Sequence, residues 1–428
     1  MENNELITIA SIERHEEWLI DIKENLEPQP DCCIYKVPKH TREKKEDGYT
    51  PKVISIGPLH HGKKVLGDME KQKIRLKREF IKRIATETWQ KLITYIEIHE
   101  QYIRNCYEEM PKFKKLKLVR MILYDAIFII ELFLRCFGGS DDYLLNVVWF
   151  NAIRLDLQLL ENQLPYFILN GLYMLAFPKP NLQEQNYPSF FLLSCNFFYD
   201  SMFNGIPNEM EVRHFVDLRR CILTKTYPEP RTIELEPFRN MPCALKLQES
   251  GLKFKGITRE RDLLDIKFEK KNPRIPWVEV HYELQIPCIE VFEETECLIR
   301  NVMALEQRHY SSETHFCNYI HLMDYLINTE DDVNLLVEAG IISNYVGDNA
   351  RIAKMFNEFG QQINASPSCY QDIIKDLNVH YNDPWNHAMA TLKRVYFSNY
   401  WIGTATIAAI MLLFLTLIQT VCSILQVV

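Results

Sequence analysis

The chain has 428 residues, a length that fits one large domain or two smaller ones. Its hydrophobic content of 47% and charged content of 25% are typical of a folded protein, while only 14 glycines favour helices over nucleotide-binding loops. The net charge of -8 argues against nucleic acid as the main partner. The twelve cysteines show no recurrent spacing, which indicates reduced, packed thiols rather than a disulfide framework.

The first part of the chain is predicted to form an amphipathic helix within residues 1–30. Apolar residues between positions 5 and 26 recur with a period near 3.6, and no basic or apolar signal-peptide region is present. The main domain is predicted to cover residues 31–394. It begins with an irregular, proline-containing stretch, residues 31–67, in which residues 52–56 resemble a short strand.

A helical core is predicted for residues 66–226. Helical patterns cover the segments 69–107, 112–137, 143–177, 188–203 and 211–224. Four charged residues interrupt the second segment, so a buried core helix is expected there rather than a membrane span. Pro165 is expected to kink or break the third segment. The fourth is very aromatic, which fits the core and also fits a membrane or partner surface.

The second half of the chain begins after a proline-rich connector at residues 228–242. Alternating apolar and polar residues predict a small antiparallel β insertion at about residues 252–292. Helical patterns return over residues 293–394, with Gly340 placed where a helix C-cap glycine would stand. The predicted fold class is therefore mainly α, with a small antiparallel β insertion and one C-terminal transmembrane helix.

The C-terminal run from Ile402 to Ile424 is uncharged and long enough to cross a bilayer, which needs roughly 20 apolar residues. This run is predicted to be a transmembrane anchor, so a lipid bilayer is an expected partner. A buried C-terminal core helix is the less favoured interpretation, because the run is too long and too poor in charge.

The residues before this run predict how it is oriented. Four aromatic side chains are expected at the membrane interface: Tyr396, Phe397, Tyr400 and Trp401. Lys393 and Arg394 precede them and nothing basic follows the run, so the positive-inside rule places the N-terminal body in the cytoplasm.

Several polar residues interrupt strongly apolar helical segments. They are Glu131, the motif Asp156, Glu161, Asn162 and Gln163, and the later group Arg300, Asn301, Glu306 and Gln307. Paired carboxylates could serve acid–base catalysis. Buried polar groups more often satisfy neighbouring backbone or arginine groups, so a buried polar network is the favoured interpretation. Arg300 is a candidate charge partner for Glu131 or Glu161.

No catalytic, cofactor-binding or metal site is predicted. The pairs Cys32-Cys33 and His60-His61 have metal-type side chains, but adjacent ligands point apart, so packed thiols and turn histidines are expected. Two basic clusters, within residues 71–83 and 112–120, are expected to be solvated helix faces, although anionic lipid could also bind them. Common nucleophile and phosphate-binding motifs are missing from the sequence.

Several blocks in order resemble the plant family called domain of unknown function 247. They include "CCIYKVPKHTREKKEDGYTPKVISIGPLHHGKKVLGDMEKQKIRLKREF", "MILYDAIFIIELF", "DLQLLENQLPYFIL" and "ETECLIRNVMALEQ". The resemblance extends from Cys32 into the apolar tail. The chain has Asp125-Ala126-Ile127 where the family tends to have Asp-Gly-Cys. It also has the charged loop "EKKNPRIPW" where a short glycine turn is usual.

The resemblance implies a plant protein with one C-terminal span, mostly at the plasma membrane, with no established enzymatic activity. Some grass members are implicated in self-incompatibility. The first hypothesis is therefore a membrane-anchored protein that acts through a protein partner in recognition or signalling. The alternative is a membrane-bound enzyme that uses Glu131, Asp156 or Glu161, and a purely structural tether is a third possibility.

Overall fold

The computed structural model describes residues 28–178, 188–199, 210–225, 241–257, 263–271, 281–363, 368–396 and 400–427. The chain divides into two compact units, Met1–Leu218 and Arg219–Val428. The described residues are mainly helical with two small sheets, which confirms the mainly α part of the predicted class. The N-terminal helix predicted within residues 1–30 and most of the connector 228–242 lie outside the described residues.

The first unit is an assembly of helices. Their bounds are α1 Lys39–Lys44, α2 Gly67–Arg83, α3 Thr86–Ile98, α4 Glu100–Asn105, α5 Lys115–Phe137, α6 Val147–Asp156, α7 Tyr166–Ala176 and α8 Phe190–Tyr199. The next helix, α9 Phe215–Thr224, begins in the first unit and ends in the second. α7 begins directly after Pro165, which confirms the predicted break.

The centre of the first unit is α5, which is buried on all sides along most of its length. It packs against α2, α3, α7 and α8. Phe133 on α5 stacks on Phe197 with ring centroids 4.4 Å apart, and Phe190, Phe198 and Phe215 surround it. The described part of the aromatic segment 188–203 therefore belongs to the core, where offset and edge-on aromatic pairs are favourable.

The stretch before α2 is irregular, as predicted, except for α1 and two single turns, Glu46–Gly48 and Lys64–Leu66. The strand predicted at residues 52–56 does not form, so that prediction was wrong. Ile54 and Ile56 are nevertheless fully buried. The apolar alternation therefore reflected burial, while the hydrogen bonds of this stretch go to side chains instead of a neighbouring strand.

The second unit combines helices with two sheets. Its helices after α9 are α10 Ala244–Glu249, α11 Thr295–His309, α12 His315–Leu326, α13 Glu330–Glu338, α14 Asn349–Gly360, α15 Gln371–Asn382, α16 Pro384–Tyr396 and α17 Tyr400–Val427. Its strands are β1 Lys253–Ile257, β2 Lys267–Lys271, β3 His281–Pro287, β4 Ile289–Val291 and β5 Ile342–Asn344.

The larger sheet has the order β1-β3-β2 and is mixed, not antiparallel as predicted. β2 runs antiparallel to β3, with Lys267 opposite Gln285, whereas β1 runs parallel to β3, with Lys253 opposite Glu283. The parallel pair is possible because β2 and its connections separate β1 from β3 in the chain, which is long enough for a crossover. The smaller sheet pairs β4 with β5 in parallel.

α13 ends as the sequence predicted. Gly340 follows it with a φ of +72°, and the Ile341 amide donates to Leu336 O at 2.8 Å. This bond is the one that closes a helix with a left-handed glycine. The chain then turns directly into β5.

α12 and α14 approach closely at Asp324 and Gly360. A Cβ placed on Gly360 would lie 2.0 Å from Asp324 Oδ2, so only glycine leaves room for this carboxyl group. Burial raises the pKa of Asp324 to about 6.

We expect Asp324→Asn to flatten the pH dependence of stability. Because its pKa is higher folded than unfolded, Asp324 holds its proton more tightly in the native state, and its contribution to stability is lost as pH rises from about 4 to 6. Asp324 is only partly buried and water screens part of the effect, so the isosteric amide should raise the free energy of unfolding at pH 7 by at most about 1 kcal/mol, measured by urea unfolding. The exposed control Asp376→Asn should leave the profile unchanged, and equal profiles for both variants would contradict the prediction.

Candidate functional site

The candidate site is a segment without secondary structure, residues 52–57, together with the side chains that bind its backbone, and residues 54–57 of this segment are buried. Asp156, the last residue of α6, accepts hydrogen bonds from three consecutive amides of the segment: Lys52 at 3.0 Å, Val53 at 2.7 Å and Ile54 at 2.9 Å. One carboxylate thus replaces the acceptors that a neighbouring strand would have supplied. Burial raises the pKa of Asp156 to about 6, against the opposing effect of these three amides.

Asn162 continues this arrangement in the loop between α6 and α7. Its Oδ1 accepts from the Ile56 amide at 2.7 Å, and its Nδ2 donates to Ile54 O at 3.0 Å and Asp156 O at 2.9 Å. The side chain is fully buried. Asn162 therefore pairs with the segment as a strand backbone would, through one acceptor and one donor.

Gln163 stabilises the loop that carries these residues. Its Nε2 donates to Leu157 O at 2.8 Å and Leu159 O at 2.7 Å, and its Oε1 accepts from the Phe215 amide at 2.9 Å. Its own carbonyl accepts from Tyr107 Oη at 2.9 Å. The motif predicted as a buried polar group thus bonds mainly to backbone.

The end of the segment is held by Asp125 on α5 and Lys73 on α2. Asp125 accepts from the Gly57 amide at 2.8 Å and pairs with Lys73 Nζ at 2.6 Å, while Lys73 also donates to Ser55 O. Burial raises the pKa of Asp125 to about 6, although Lys73 opposes the shift. Burial pushes the pKa of Lys73 down, but Asp125 and Glu70 outweigh it and raise that pKa, so the pair is charged at neutral pH.

Lys73 corrects one prediction about the first basic cluster. It was expected on a solvated face, yet its side chain is only 1% exposed. The sequence held a signal that could have found it, since Lys73 follows Met69 by four residues and precedes Leu76 and Phe80 by three and seven. These three residues are the buried stripe of α2.

Glu161 binds the beginning of the irregular stretch. It accepts from the Val37 amide at 2.7 Å, pairs with Arg42 of α1 and lies 3.5 Å from His60 Nε2. Burial pushes the pKa of Glu161 up, but His60 and Arg42 outweigh it and hold that pKa below its usual range. The irregular stretch before α2 is thus bound through its backbone by four side chains, those of Asp125, Asp156, Glu161 and Asn162. We call these four residues and Lys73 the backbone clamp.

Glu131 belongs to a different cluster. It pairs with Arg83 and lies 3.4 Å from Arg135, whose Nη1 is 2.9 Å from Asp142. A cavity of about 260 Å³ beside it is lined by Glu79, Arg83, Glu131, Leu134, Arg135, Gly138 and Ser140. The carboxylate of Glu131 therefore meets arginines at this cavity.

Arg300 and Glu306 lie in the second unit, and Arg300 does not have the partners that the sequence suggested. It binds Glu296 and Glu358, at 3.0 and 2.8 Å, instead of Glu131 or Glu161. Glu306 pairs with Arg220 at 3.1 Å and accepts from the Cys317 amide at 2.8 Å. Burial raises the pKa of Glu306. The buried polar residues singled out in the sequence thus fall into separate clusters: Glu131 with Arg83, Asp156 and Glu161 in the backbone clamp, Arg300 with Glu296 and Glu358, and Glu306 with Arg220.

The metal-type pairs have other contacts. Cys32 and Cys33 are buried, His60 is buried beside Glu161, and His61 packs its ring edge-on to Phe113. Within the part of the chain that the structure describes, no group of three or more His, Cys, Asp or Glu could hold a metal ion.

The residues predicted at a membrane interface lie where α16 meets α17. Tyr396 is the last residue of α16, and Trp401 is the second residue of α17, which begins at Tyr400. The side chains of Tyr396 and Trp401 are exposed. Thr406 Oγ1 donates to Tyr396 O at 3.2 Å. The side chain of Tyr400, and all of Phe397, lie outside the described residues. Residues Thr404–Ile424 of α17 are long and apolar enough to cross a membrane, and none is buried.

Comparison with known proteins assigns the chain to a family. The model of the family DUF247, described as a plant protein of unknown function, matches residues 34–415. The chain belongs to this family. The match includes all members of the backbone clamp and the first part of α17, and it confirms the resemblance noted in the sequence.

Two relatives from Arabidopsis thaliana are similar along nearly their whole length. UPF0481 protein At3g47200 is 26% identical over 426 residues, which cover 92% of this chain and 87% of the relative. Putative UPF0481 protein At3g02645 is 23% identical over 512 residues, which cover 96% of each chain. No solved structure matches the chain significantly.

Gly57→Ala should be much more destabilising than Gly62→Ala. Both glycines have positive φ, +72° and +84°, so both alanines carry a backbone penalty of about 1–2 kcal/mol. A Cβ at position 57 would also lie 2.4 Å from Gln163 O, whereas one at position 62 would meet nothing within 4 Å. Urea unfolding should show a loss of about 3 kcal/mol or more for Gly57→Ala and about 1–2 kcal/mol for the control. Similar losses would mean that the segment can move away from Gln163.

Lys73→Met should destabilise the chain by about 3–5 kcal/mol, because it leaves the Asp125 carboxylate buried without its counter-charge. The matched control is Lys71→Met on the same helix, where an exposed lysine pairs with exposed Asp68, and its effect should be far smaller because water screens an exposed pair. Lys73→Met with Asp125→Asn should recover at least 1 kcal/mol of the loss, since the amide still accepts from Gly57. A double variant no more stable than Lys73→Met would argue against a charged pair.

Proposed function

We propose that this chain is a single-pass, membrane-anchored plant protein that acts through protein recognition or signalling and not through catalysis. The observation that carries the proposal is α17. From Thr404 to Ile424 it offers apolar side chains on all sides, with none of them buried against the protein. Each large apolar side chain removed from water gains roughly 1.5–3 kcal/mol, so a bilayer is the environment that such a helix favours.

The body is proposed to lie on the cytoplasmic side of the plasma membrane. Lys393 and Arg394 lie shortly before α17, and basic residues close to a span favour the cytoplasmic side. The plasma membrane is proposed because the family is mostly found there, and a role in pollen–stigma recognition is proposed because some grass members are implicated in self-incompatibility.

A non-catalytic role is supported by how the candidate acid–base residues are used. Asp156 binds three backbone amides, and Glu161 binds an amide and an arginine. These carboxylates stabilise the fold through contacts that a reaction would have to break.

The alternative is an enzyme, and one observation favours it, namely the cavity beside Glu131. Of the three carboxylates considered, only Glu131 lines this cavity, and it is paired there with Arg83. Acid–base chemistry with paired carboxylates would need a second, unneutralised carboxyl group close to the first. Glu79, the other carboxylate in the lining, is paired with Arg135.

The anchor is tested by placing two arginines in the middle of α17. Leu413→Arg with Leu417→Arg should move the full chain from the membrane pellet to the soluble fraction after alkaline extraction. Each arginine near the centre of a span costs about 2.5–3.5 kcal/mol. Leu413→Ala with Leu417→Ala removes the same side chains without charge and should stay in the pellet. Retention of the arginine variant would remove the basis of the proposal.

Sidedness and recognition need a second experiment on the same membranes. With a tag at Met1, a cytoplasmic body is protected from protease in right-side-out vesicles until the membrane is opened. Crosslinking before extraction should then join the body to a protein partner, and the isosteric variant Glu161→Gln should lose this product only as far as it loses folded protein. Immediate cleavage of the tag would reverse the orientation. Absence of any crosslinked partner would argue against recognition.

A further inference from the structure

α16 presents its apolar side to solvent. Its most exposed large apolar residues recur at helical spacing: Trp385, Leu392, Val395 and Tyr396 are 69%, 41%, 50% and 49% exposed, and Ala388 is exposed between them. Positions separated by three, four or seven residues lie on one side of a helix, so these residues form a single stripe, which we call the outer face. A surface helix of a water-soluble domain normally turns such a stripe inward.

The opposite side of α16 is fixed to the second unit by small and polar residues. Ala390 lies against Gly251, so close that a Cβ added to that glycine would sit 3.4 Å from Ala390 Cβ. Asn386 Nδ2 donates to His380 O at 2.9 Å, and a ring nitrogen of His387 lies 2.7 Å from Tyr381 O. The helix cannot rotate its apolar stripe inward without losing these contacts.

The end of α16 is held beside the candidate membrane span. Thr406 Oγ1 donates to Tyr396 O at 3.2 Å, and Thr406 is within the apolar run Thr404–Ile424. Thr406 follows Tyr400 by six residues, or about 9 Å along the helix axis at 1.5 Å per residue. The link from Tyr396 to Tyr400 can reach at most about 14 Å. Wherever α17 enters a bilayer, the last turn of α16 must lie at its surface.

We propose that α16 is an interfacial helix whose outer face lies in the headgroup layer of the bilayer that α17 crosses. The occupant of this face is therefore lipid. This inference rests on the proposed membrane span, and it adds a second lipid contact that holds one defined side of the second unit on the membrane. Trp385 and Tyr396 suit this depth, because aromatic rings with a polar atom settle between water and acyl chains.

The test uses tryptophan fluorescence of the full chain in liposomes of phosphatidylcholine and phosphatidylserine. Differences between the wild-type chain and the variants Trp385→Phe and Trp401→Phe isolate the emission of the two residues. Lipids brominated on their acyl chains should quench both residues to within about twofold of each other, and aqueous iodide should quench neither strongly.

A charge on the outer face should weaken the lipid contact of α16 and leave the lipid contact of α17 unchanged. Leu392→Glu should reduce quenching of Trp385 by brominated lipid at least twofold and expose it to iodide, while quenching of Trp401 is unchanged. Thr391→Glu places the same charge on the neighbouring exposed residue outside the stripe and should change neither signal.

Three results would overturn the inference. Quenching of Trp401 but not of Trp385 by brominated lipid would leave the anchor in place and the outer face in water. Shielding of Trp385 from iodide without lipid quenching, lost when the protein is diluted into more lipid, would assign the face to a second copy of the chain. Lack of lipid quenching for both residues, with release at alkaline pH, would instead mean that the proposed span itself is wrong.

Discussion

The first unit depends on a simple constraint: residues 54–57 are buried, and the backbone of residues 52–57 has no strand beside it. A buried amide without an acceptor costs about 1–3 kcal/mol, so this segment could not be enclosed unless other groups bonded to it. Asp156, Asn162 and Asp125 supply the acceptors, and Asn162 and Lys73 supply donors. Acidic and amide side chains on apolar helices, which resemble a catalytic constellation in the sequence, are here a substitute for a missing β-strand.

The carboxylates considered for acid–base chemistry have structural contacts, which bears on the proposed function. In the part of the chain that the structure describes, Asp156, Glu161 and Asp125 bind backbone amides, an arginine or a lysine. The most unusual surfaces lie together at the end of the chain, where the unburied helix α17 follows the outward apolar stripe of α16. Both features have the same physical origin, since apolar area that the protein does not cover must be covered by something else.

The sequence predicted the elements that depend on local pattern. The core helix α5, the break at Pro165, the glycine cap after α13 and the apolar tail each follow from periodicity, length or one residue's backbone preference. Pairing across the chain was not predictable in this way. The alternation at residues 52–56 indicated a strand, but its partners proved to be side chains about 100 positions later. The sequence predicted Glu131 or Glu161 as the partner of Arg300, whereas its partners in the structure include Glu296, one helical turn away. The buried role of Lys73 could have been found from the apolar stripe on which it lies.

The long separation between the segment and its partners has a consequence for synthesis on the ribosome. The bond from Asn162 to Ile54 spans 108 residues, and the Gly57 amide is 68 residues from Asp125. At about 5–20 residues per second, roughly 5–20 s pass between the synthesis of Ile54 and that of its hydrogen-bond partner Asn162. During that time the nascent chain carries an apolar segment with free amides and no place to fold, which is the kind of segment that a ribosome-associated chaperone binds. Helix α5 is synthesised before the loop that follows α6, so its buried faces stay partly exposed to solvent until that loop has emerged.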